Sequence, residues 1–116
     1  MKGNTVEMAA LLDAFGALLT NKQREYCEMY YYEDLSLAEI AENVGVSVPG
    51  VHDTVIRGVA KMREAEHRLG VVARRDKLLE RVDKAAVIAA RLREAHPADA
   101  DSAELCACLN DVSDGV

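Results

Sequence analysis

The sequence has few of the large aromatic residues that usually fill a hydrophobic core. It has no tryptophan and one phenylalanine among 116 residues, although half of its residues are hydrophobic. Leucine, valine, alanine and methionine must therefore form the core. Only two prolines occur, and no stretch alternates apolar and polar residues for long, as half-buried strands do. These absences predict an all-α fold with one modest core.

Membrane and export signals are also missing. No apolar run approaches the roughly 18 residues of a membrane span, and no signal-peptide pattern opens the chain. Three cysteines, an odd number without regular spacing, fit a reducing compartment. The net charge of −6 argues against a nucleic-acid coat protein and against binding to an anionic membrane. We therefore expect a cytoplasmic protein with no membrane partner.

The sequence also lacks the residue groupings that catalysis requires. No side chains are spaced as a nucleophile, a base and an orienting group would be, and the histidines have no metal-ligand spacing. Cys106 and Cys108 could bind a soft metal, but a four-ligand site requires partners that the sequence does not offer. Cys27 is most simply a small core residue. We expect no enzyme activity, no metal and no cofactor.

A helix-turn-helix occupies residues 36–69. An S-x-x-E capping box at Ser36 starts its first helix, and Gly45 follows the last periodic apolar residue, where a left-handed backbone is expected. Ser47 is the next N-cap candidate, and Pro49 falls in the first turn of the second helix, where its missing N–H costs nothing. The apolar positions of the two helices are Leu37, Ile40, Ala41 and Val44, then Val51, Val55, Val59 and Met62.

Two further helices are predicted before the motif. The first extends from Thr5 to about Ala17, and its inner face would be Val6, Ala9, Leu12 and Phe15. A T-x-x-Q capping box at Thr20 begins the second, which extends through Tyr32. The three consecutive tyrosines that end this helix cannot share one face. Either one or two belong to the core with hydroxyls at its rim, or they form a stacking platform for bases.

A long last helix is predicted from Val72 to Ala95, before Pro97. Its apolar residues recur at steps of four and three through two heptads: Leu78, Val82, Ala85, Ala89 and Leu92. This seam either packs back on the same chain or pairs with a second copy in a homodimer.

Three segments therefore make up the predicted domain organisation. Residues 1–70 form a helical domain with the helix-turn-helix, and residues 71–96 form the long helix, a candidate dimerisation arm. Residues 97–116 form an acidic, partly disordered tail. In that tail, Asp101–Glu104 either caps one short helix through Leu109 or belongs to a disordered segment.

Charge is divided unevenly along the chain. Residues 1–53 carry 3 basic and 9 acidic side chains, net −6, and residues 54–93 carry 11 basic and 5 acidic ones, net +6. Residues 94–116 carry 6 acidic side chains and no basic one. The basic middle can meet nucleic acid or an acidic protein, although a charge run is usually only a solvated face.

Nucleic-acid contacts can be predicted from the motif. The start of its second helix enters the major groove in DNA-binding members of this class, where His52 is the best candidate for a base edge and Asp53 would repel phosphates. Basic side chains further on can reach the phosphates. The predicted contacts are Ser47, Val48, Pro49, Gly50, His52, Asp53, Arg57, Lys61, Arg63, Arg74, Arg75 and Lys77.

Seven segments carry a further signal: Leu18–Thr20, Lys22–Arg24, Tyr30–Tyr31, Asp34–Leu37, Glu39–Glu42, Val46–Ser47 and Val51–Asp53. Together they resemble the YlxM-type family of small bacterial proteins. The family is similar to region 4 of sigma factors, and its genes typically neighbour those for the signal recognition particle GTPase and its receptor. The resemblance implies a DNA-binding helix-turn-helix protein linked to that pathway. Family members usually have Arg and then Gln or Glu after the second-helix serine, where this chain has Val48, Pro49 and Gly50.

Two functions are compatible with these observations. The first is a YlxM-type regulatory protein that binds DNA, or RNA, weakly through phosphates, with signal recognition particle components as partners. The second is a protein-binding adaptor or dimeric interaction module that retains the fold without base readout. Its basic arm would then meet an acidic protein or the acidic part of a second copy. The sequence leaves both open.

Overall fold

Residues 4–115 are described by a computed structural model. Within that range the chain forms six α-helices, one short 3₁₀ helix (Gly16–Leu18) and no strand. The α-helices are α1 (Thr5–Phe15), α2 (Asn21–Tyr31), α3 (Leu37–Val44), α4 (Val48–Leu69), α5 (Val71–Ala95) and α6 (Ala100–Gly115). The predicted all-α fold is confirmed, with six helices where about five were expected. None of the helices in residues 4–115 is long and apolar enough to cross a membrane.

The chain divides after Val72 into two compact units. The first unit contains α1 to α4, and the second contains nearly all of α5 and the whole of α6. The predicted domain limits at residues 70 and 96 stay a prediction.

Local side-chain hydrogen bonds set the helix starts in the first unit. Thr20 and Ser36 each complete a capping box, because their hydroxyls accept the N–H of Gln23 and Glu39 while those side chains accept the cap's own N–H. Asn4 caps α1 by accepting the N–H of Glu7 at 3.1 Å. The capping boxes predicted from spacing are therefore confirmed.

Two glycines with a left-handed backbone end α3 and α4. Gly45 has φ 74° and Gly70 has φ 61°. Their N–H groups donate to the carbonyls of Ala41 and Glu66, so carbonyls that would otherwise lack a helical partner are satisfied. The predicted positions of the turn in the motif and of the end of α4 are confirmed.

The core of the first unit lies where α1, α2 and α3 pack on α4. Its buried residues are Met8, Leu11, Leu12, Phe15, Leu19, Tyr26, Cys27, Tyr30, Tyr31, Ile40, Ala41, Val51, Val55, Met62 and Val72. The inner face predicted for α1 is partly wrong, because Val6 is 80% exposed. Apolar residues occur on several sides of α1, so the sequence pattern permits more than one buried face. Packing against the other helices buries the face that contains Met8 and Leu11.

The tyrosines at the end of α2 divide between core and surface. Tyr30 and Tyr31 are buried and meet edge to face, with ring centroids 4.9 Å apart. Tyr32 is about half exposed, and its hydroxyl donates to the carboxylate of Asp13. The core alternative is confirmed for two tyrosines, which leaves no row of three rings for stacked bases.

Close approach of α2 and α4 occurs at Gly58. This residue is buried, and a Cβ atom there would lie 3.0 Å from the Sγ of Cys27. Cys27 is itself fully buried, and its thiol donates to the carbonyl of Val55 at 3.9 Å. Burial, with a smaller contribution from Glu28, raises the pKa of the Cys27 thiol to about 11. Cys27 is therefore a protonated packing residue, as predicted.

The second unit is an antiparallel pair of helices. Ser113 near the end of α6 donates to Asp83 of α5 at 3.5 Å. Asp99 caps α6 by accepting the N–H of Asp101 and the hydroxyl of Ser102, both at 3.0 Å. The cap thus lies two residues before the predicted one, and α6 extends past Leu109 because residues that face α5 continue to Ser113.

The seam predicted on α5 is split between two environments. Ala89 is 1% exposed and Val82 is half-buried, whereas Leu78 and Leu92 are about half exposed and Ala85 is exposed. The five residues therefore do not share one buried seam.

We predict that Gly45→Val lowers the free energy of unfolding by about 1 kcal/mol or more, because a β-branched residue is strained at this positive φ. Apart from Gly45 itself and its chain neighbours, no residue approaches within 4 Å of the position of the new Cβ, so the loss would report chiefly backbone strain. Urea denaturation measures it. Gly45→Asn is the matched control and should lose less, since Asn tolerates this conformation. Equal losses for Val and Asn would contradict the assignment.

A second prediction concerns the packing of Gly58 against Cys27. The higher helix propensity of alanine should raise the free energy of unfolding of Gly58→Ala by about 1 kcal/mol. Crowding of the new Cβ against the sulfur of Cys27 should cancel that gain. In a Cys27→Ala background the crowding is absent, so Gly58→Ala should be more stabilising there than in the wild-type protein, by about 1 kcal/mol. Chemical denaturation of the four proteins in this cycle gives the coupling. Additive effects would show that the sulfur does not limit the approach of the helices.

Candidate nucleic-acid interface

The position of α4 follows from the turn that precedes it. Ser47 accepts the N–H of Gly50 at 3.2 Å, and Pro49 lies within the first turn. Val51 and Val55 are fully buried one turn apart, so the inner face of α4 is set from its first turn onward. The opposite side of the helix must therefore face solvent.

That solvent-facing surface is called the α4 face below. Its members are all exposed: Val48, Pro49, His52, Asp53, Ile56 and Arg57. Val48 and Ile56 are each 43% exposed, which is considerable for aliphatic side chains. His52 lies between them along the helix and presents the only imidazole of the face.

Two of the predicted contact residues have structural roles. The hydroxyl of Ser47 serves as the N-cap, and Gly50 donates its N–H to that same oxygen. Gly50 is also half-buried, and a Cβ there would lie 3.0 Å from the Ser47 oxygen. These groups shape the start of α4, while the neighbouring Val48 and Pro49 provide its exposed surface.

Each predicted cation in the first unit has a partner. The guanidinium of Arg57 lies 3.2 Å from the carboxylate of Asp53, and both side chains are more than 60% exposed. Lys61 donates to the side-chain carbonyl of Gln23 at 3.2 Å, and a nitrogen of Arg63 lies 3.5 Å from Glu7. Exposed pairs of this kind contribute on the order of 0.2 to 1 kcal/mol. A phosphate can therefore replace the present partners at little cost.

The remaining predicted cations belong to the second unit. Arg74, Arg75 and Lys77 lie in the first turns of α5, and Arg75 is half-buried while Arg74 and Lys77 are exposed. They form a separate basic cluster on their own helix.

Ile56 is a member of the α4 face that the sequence analysis missed. It lies one turn after His52 and outside the repeat of Val51, Val55 and Val59. An apolar residue that breaks the phase of a core face is a signal of exposure. That signal was available in the sequence.

Comparison with known proteins assigns the chain to a helix-turn-helix family. A family model described as "Putative helix-turn-helix protein, YlxM / p13 like" matches residues 2–98. The chain belongs to this family, UPF0122. The resemblance noted from the motifs is therefore confirmed, and the α4 face lies inside the matched region.

Curated UPF0122 relatives come from several bacteria. A UPF0122 protein of Thermoanaerobacter sp. (strain X514) is 46% identical over 77 residues, which is 66% of this chain and 66% of that protein. One from Symbiobacterium thermophilum is 45% identical over 91 residues, covering 72% of this chain and 85% of the relative. One from Halalkalibacterium halodurans is 39% identical over 109 residues, which is 94% of each chain.

Proposed function

We propose that this UPF0122 protein is a regulatory protein that binds duplex DNA weakly through α4, with RNA as a further ligand. The exposed α4 face, placed by the Gly45 turn in a helix-turn-helix family member, carries the proposal. An α-helix fits the major groove, and the start of the second helix is the part that meets base edges.

Contacts to phosphate would supply most of the affinity. Arg57 and Lys61 would exchange Asp53 and Gln23 for phosphate oxygens, and Arg63 would do the same with Glu7. The basic cluster Arg74, Arg75 and Lys77 would add further phosphate contacts. Such contacts position a protein on the duplex without reading its sequence.

Base readout would be limited to a few groups on the α4 face. His52 can hydrogen-bond with a base edge, and the methyl groups of Val48 and Ile56 can contact the methyl group of thymine. No Lys, Asn or Gln side chain lies on this face, and its single Arg is paired with Asp53. We therefore expect modest sequence preference.

The acidic charge of the first unit would keep the affinity low. Residues 1–72, which form the first unit, carry 7 basic and 11 acidic side chains, net −4, and Asp53 lies on the α4 face itself. Long-range repulsion of the phosphates follows. Within this proposal the protein acts in the cytoplasm, in transcriptional regulation tied to the signal recognition particle pathway, with components of that pathway as candidate partners.

A protein-binding adaptor is the second candidate function. Val46, Val48 and Ile56 are each exposed by more than 40%, and together they place aliphatic surface around the start of α4. Exposed apolar clusters of this kind occur at protein–protein contacts. On this alternative the same surface would meet the apolar side of a protein partner.

The salt dependence of binding tests the proposal. With about three to five phosphate contacts, the slope of log affinity against log salt should be near −3 to −4.5 for duplex DNA. The double variant Arg57→Ala, Lys61→Ala should flatten this slope by about 2 and weaken all sequences alike. Fluorescence anisotropy with labelled duplexes measures both effects.

The matched control is Arg24→Ala with Arg68→Ala. Both are exposed arginines in pairs with Glu four residues away, as Arg57 is with Asp53, but both lie outside the predicted contacts. The control should leave the slope nearly unchanged. At about 50 mM salt, competing ions oppose phosphate contacts only weakly. If the wild-type protein binds neither duplex DNA nor RNA under this condition, the nucleic-acid proposal is wrong and the adaptor function takes its place.

A further prediction concerns Asp53. Asp53→Asn should tighten binding, because it removes a negative charge from the α4 face and releases Arg57 for phosphate. Glu33→Gln makes the same change of charge at an exposed residue just beyond α2 and should have a smaller effect. Titration of one duplex with both variants compares them. Equal affinity changes would mean that the Asp53–Arg57 pair has no local role in binding.

A further inference from the structure

The second unit exposes an apolar stripe along α5. Leu78, Ala85, Ile88 and Leu92 are spaced by seven, three and four residues, which places them on one side of a helix. Leu78 is 49% exposed, Ile88 56% and Leu92 47%. The inward side of α5 is a different one and is formed by Val82, Ala86 and Ala89. The four exposed residues are called the α5 stripe.

A similar stripe follows α6. Leu105, Cys108 and Val112 are spaced by three and four residues and are all exposed, with Leu105 at 44% and Val112 at 41%. The inward side of α6 is formed by Ser102, Cys106, Leu109 and Ser113. The three exposed residues are called the α6 stripe.

Both stripes lie on the same face of the helix pair. At 3.6 residues per turn, each stripe lies roughly a quarter of a turn away from the inward side of its helix. The displacement is anticlockwise for both helices when each is viewed from its own N-terminus. Because α5 and α6 are antiparallel, an equal rotation on each brings the two stripes to one side. The unit therefore presents a two-helix apolar face, in which Ala85, Ile88 and Leu92 lie beside the α6 stripe and Leu78 lies beyond the end of α6.

The two halves of this face carry opposite charge. Residues 73–95 contain 7 basic and 4 acidic side chains, whereas residues 100–115 contain 4 acidic side chains and no basic one. Arg81 lies within the α5 stripe, with Lys84 and Arg91 along its outer edge. Asp101 lies beside the α6 stripe, with Glu104 and Asp111 along its outer edge.

We propose that this face binds a second copy of the chain, with α5 of each copy packed on α6 of the other. A two-fold axis parallel to the helices generates this arrangement and forms an antiparallel four-helix bundle. The basic side chains along the α5 stripe of one copy then meet the acidic side chains along the α6 stripe of the other. The alternative two-fold arrangement, α5 on α5, would oppose cations to cations and is disfavoured. This pairing does not depend on whether α4 binds DNA.

Sedimentation velocity tests the pairing itself. The wild-type protein, at a concentration on the order of 100 µM, should sediment with twice the chain mass of 12.7 kDa, and Ile88→Asp should halve that mass by burying an unpaired charge. The control Val6→Asp changes a valine that is 80% exposed on α1 and should stay dimeric. Circular dichroism confirms that both variants keep their helices. A monomeric wild-type protein would overturn the proposal.

Cross-linking tests which helices meet. Ser113 lies level with Asp83, so five residues along each helix Cys108 lies level with Ile88. A two-fold axis parallel to the helices keeps that level, which places Ile88 opposite Cys108 of the partner subunit. Ile88→Cys in a Cys106→Ser background should therefore form disulfide-linked dimers when two Cu(II) phenanthroline complexes each accept one electron and the two thiols release their protons to solvent.

Adding Cys108→Ser should abolish these covalent dimers. Dimers that persist without Cys108 would join the thiol introduced at position 88 to the same position of the other copy, and they would overturn the α5-on-α6 arrangement.

A charge exchange gives an independent readout. Lys84→Glu with Arg91→Glu, or Glu104→Lys with Asp111→Lys, should each yield monomers, whereas an equimolar mixture of the two proteins should recover dimers. Dimers in either variant alone would contradict the role of charge.

Discussion

Burial of one side of α4 is the interaction on which the first unit depends. Val51, Val55 and Met62 are completely buried, and α1, α2 and α3 all pack on the side of the helix that they form. Gly58 allows α2 to approach that side closely. Because the core occupies this side of α4, helical geometry determines which residues of α4 remain exposed to solvent.

The same constraint explains why the α4 face combines chemically different groups. A residue enters that face because it is out of phase with Val51 and Val55, whatever its polarity. Ile56 and Val48 therefore remain exposed although they are aliphatic, and Asp53 lies one turn before Arg57, close enough to pair with it. The pair partly offsets the charge of each side chain, although both remain largely exposed.

Features fixed by neighbouring residues could be predicted from the sequence, and features fixed by distant ones could not. The caps at Thr20, Ser36 and Ser47 and the left-handed Gly45 depend on three or four adjacent residues, so spacing identified them. The partners of Lys61 and Arg63 lie on α2 and α1, 38 residues away in the case of Gln23. No local pattern signals such pairs. The inner side of α1 was likewise chosen by packing, because its own pattern permits several.

Pairing of two copies would raise the affinity for DNA, because one first unit alone would bind only weakly. Residues 1–72 carry 7 basic and 11 acidic side chains, net −4, so a single unit meets a duplex against net repulsion. Linking two such units raises the effective concentration of the second once the first is bound, which can increase overall affinity by about 10²- to 10⁴-fold without a new contact. A two-fold dimer would also impose a symmetric pair of half-sites. The second unit would then supply, by assembly, the affinity that the charge of the first unit opposes.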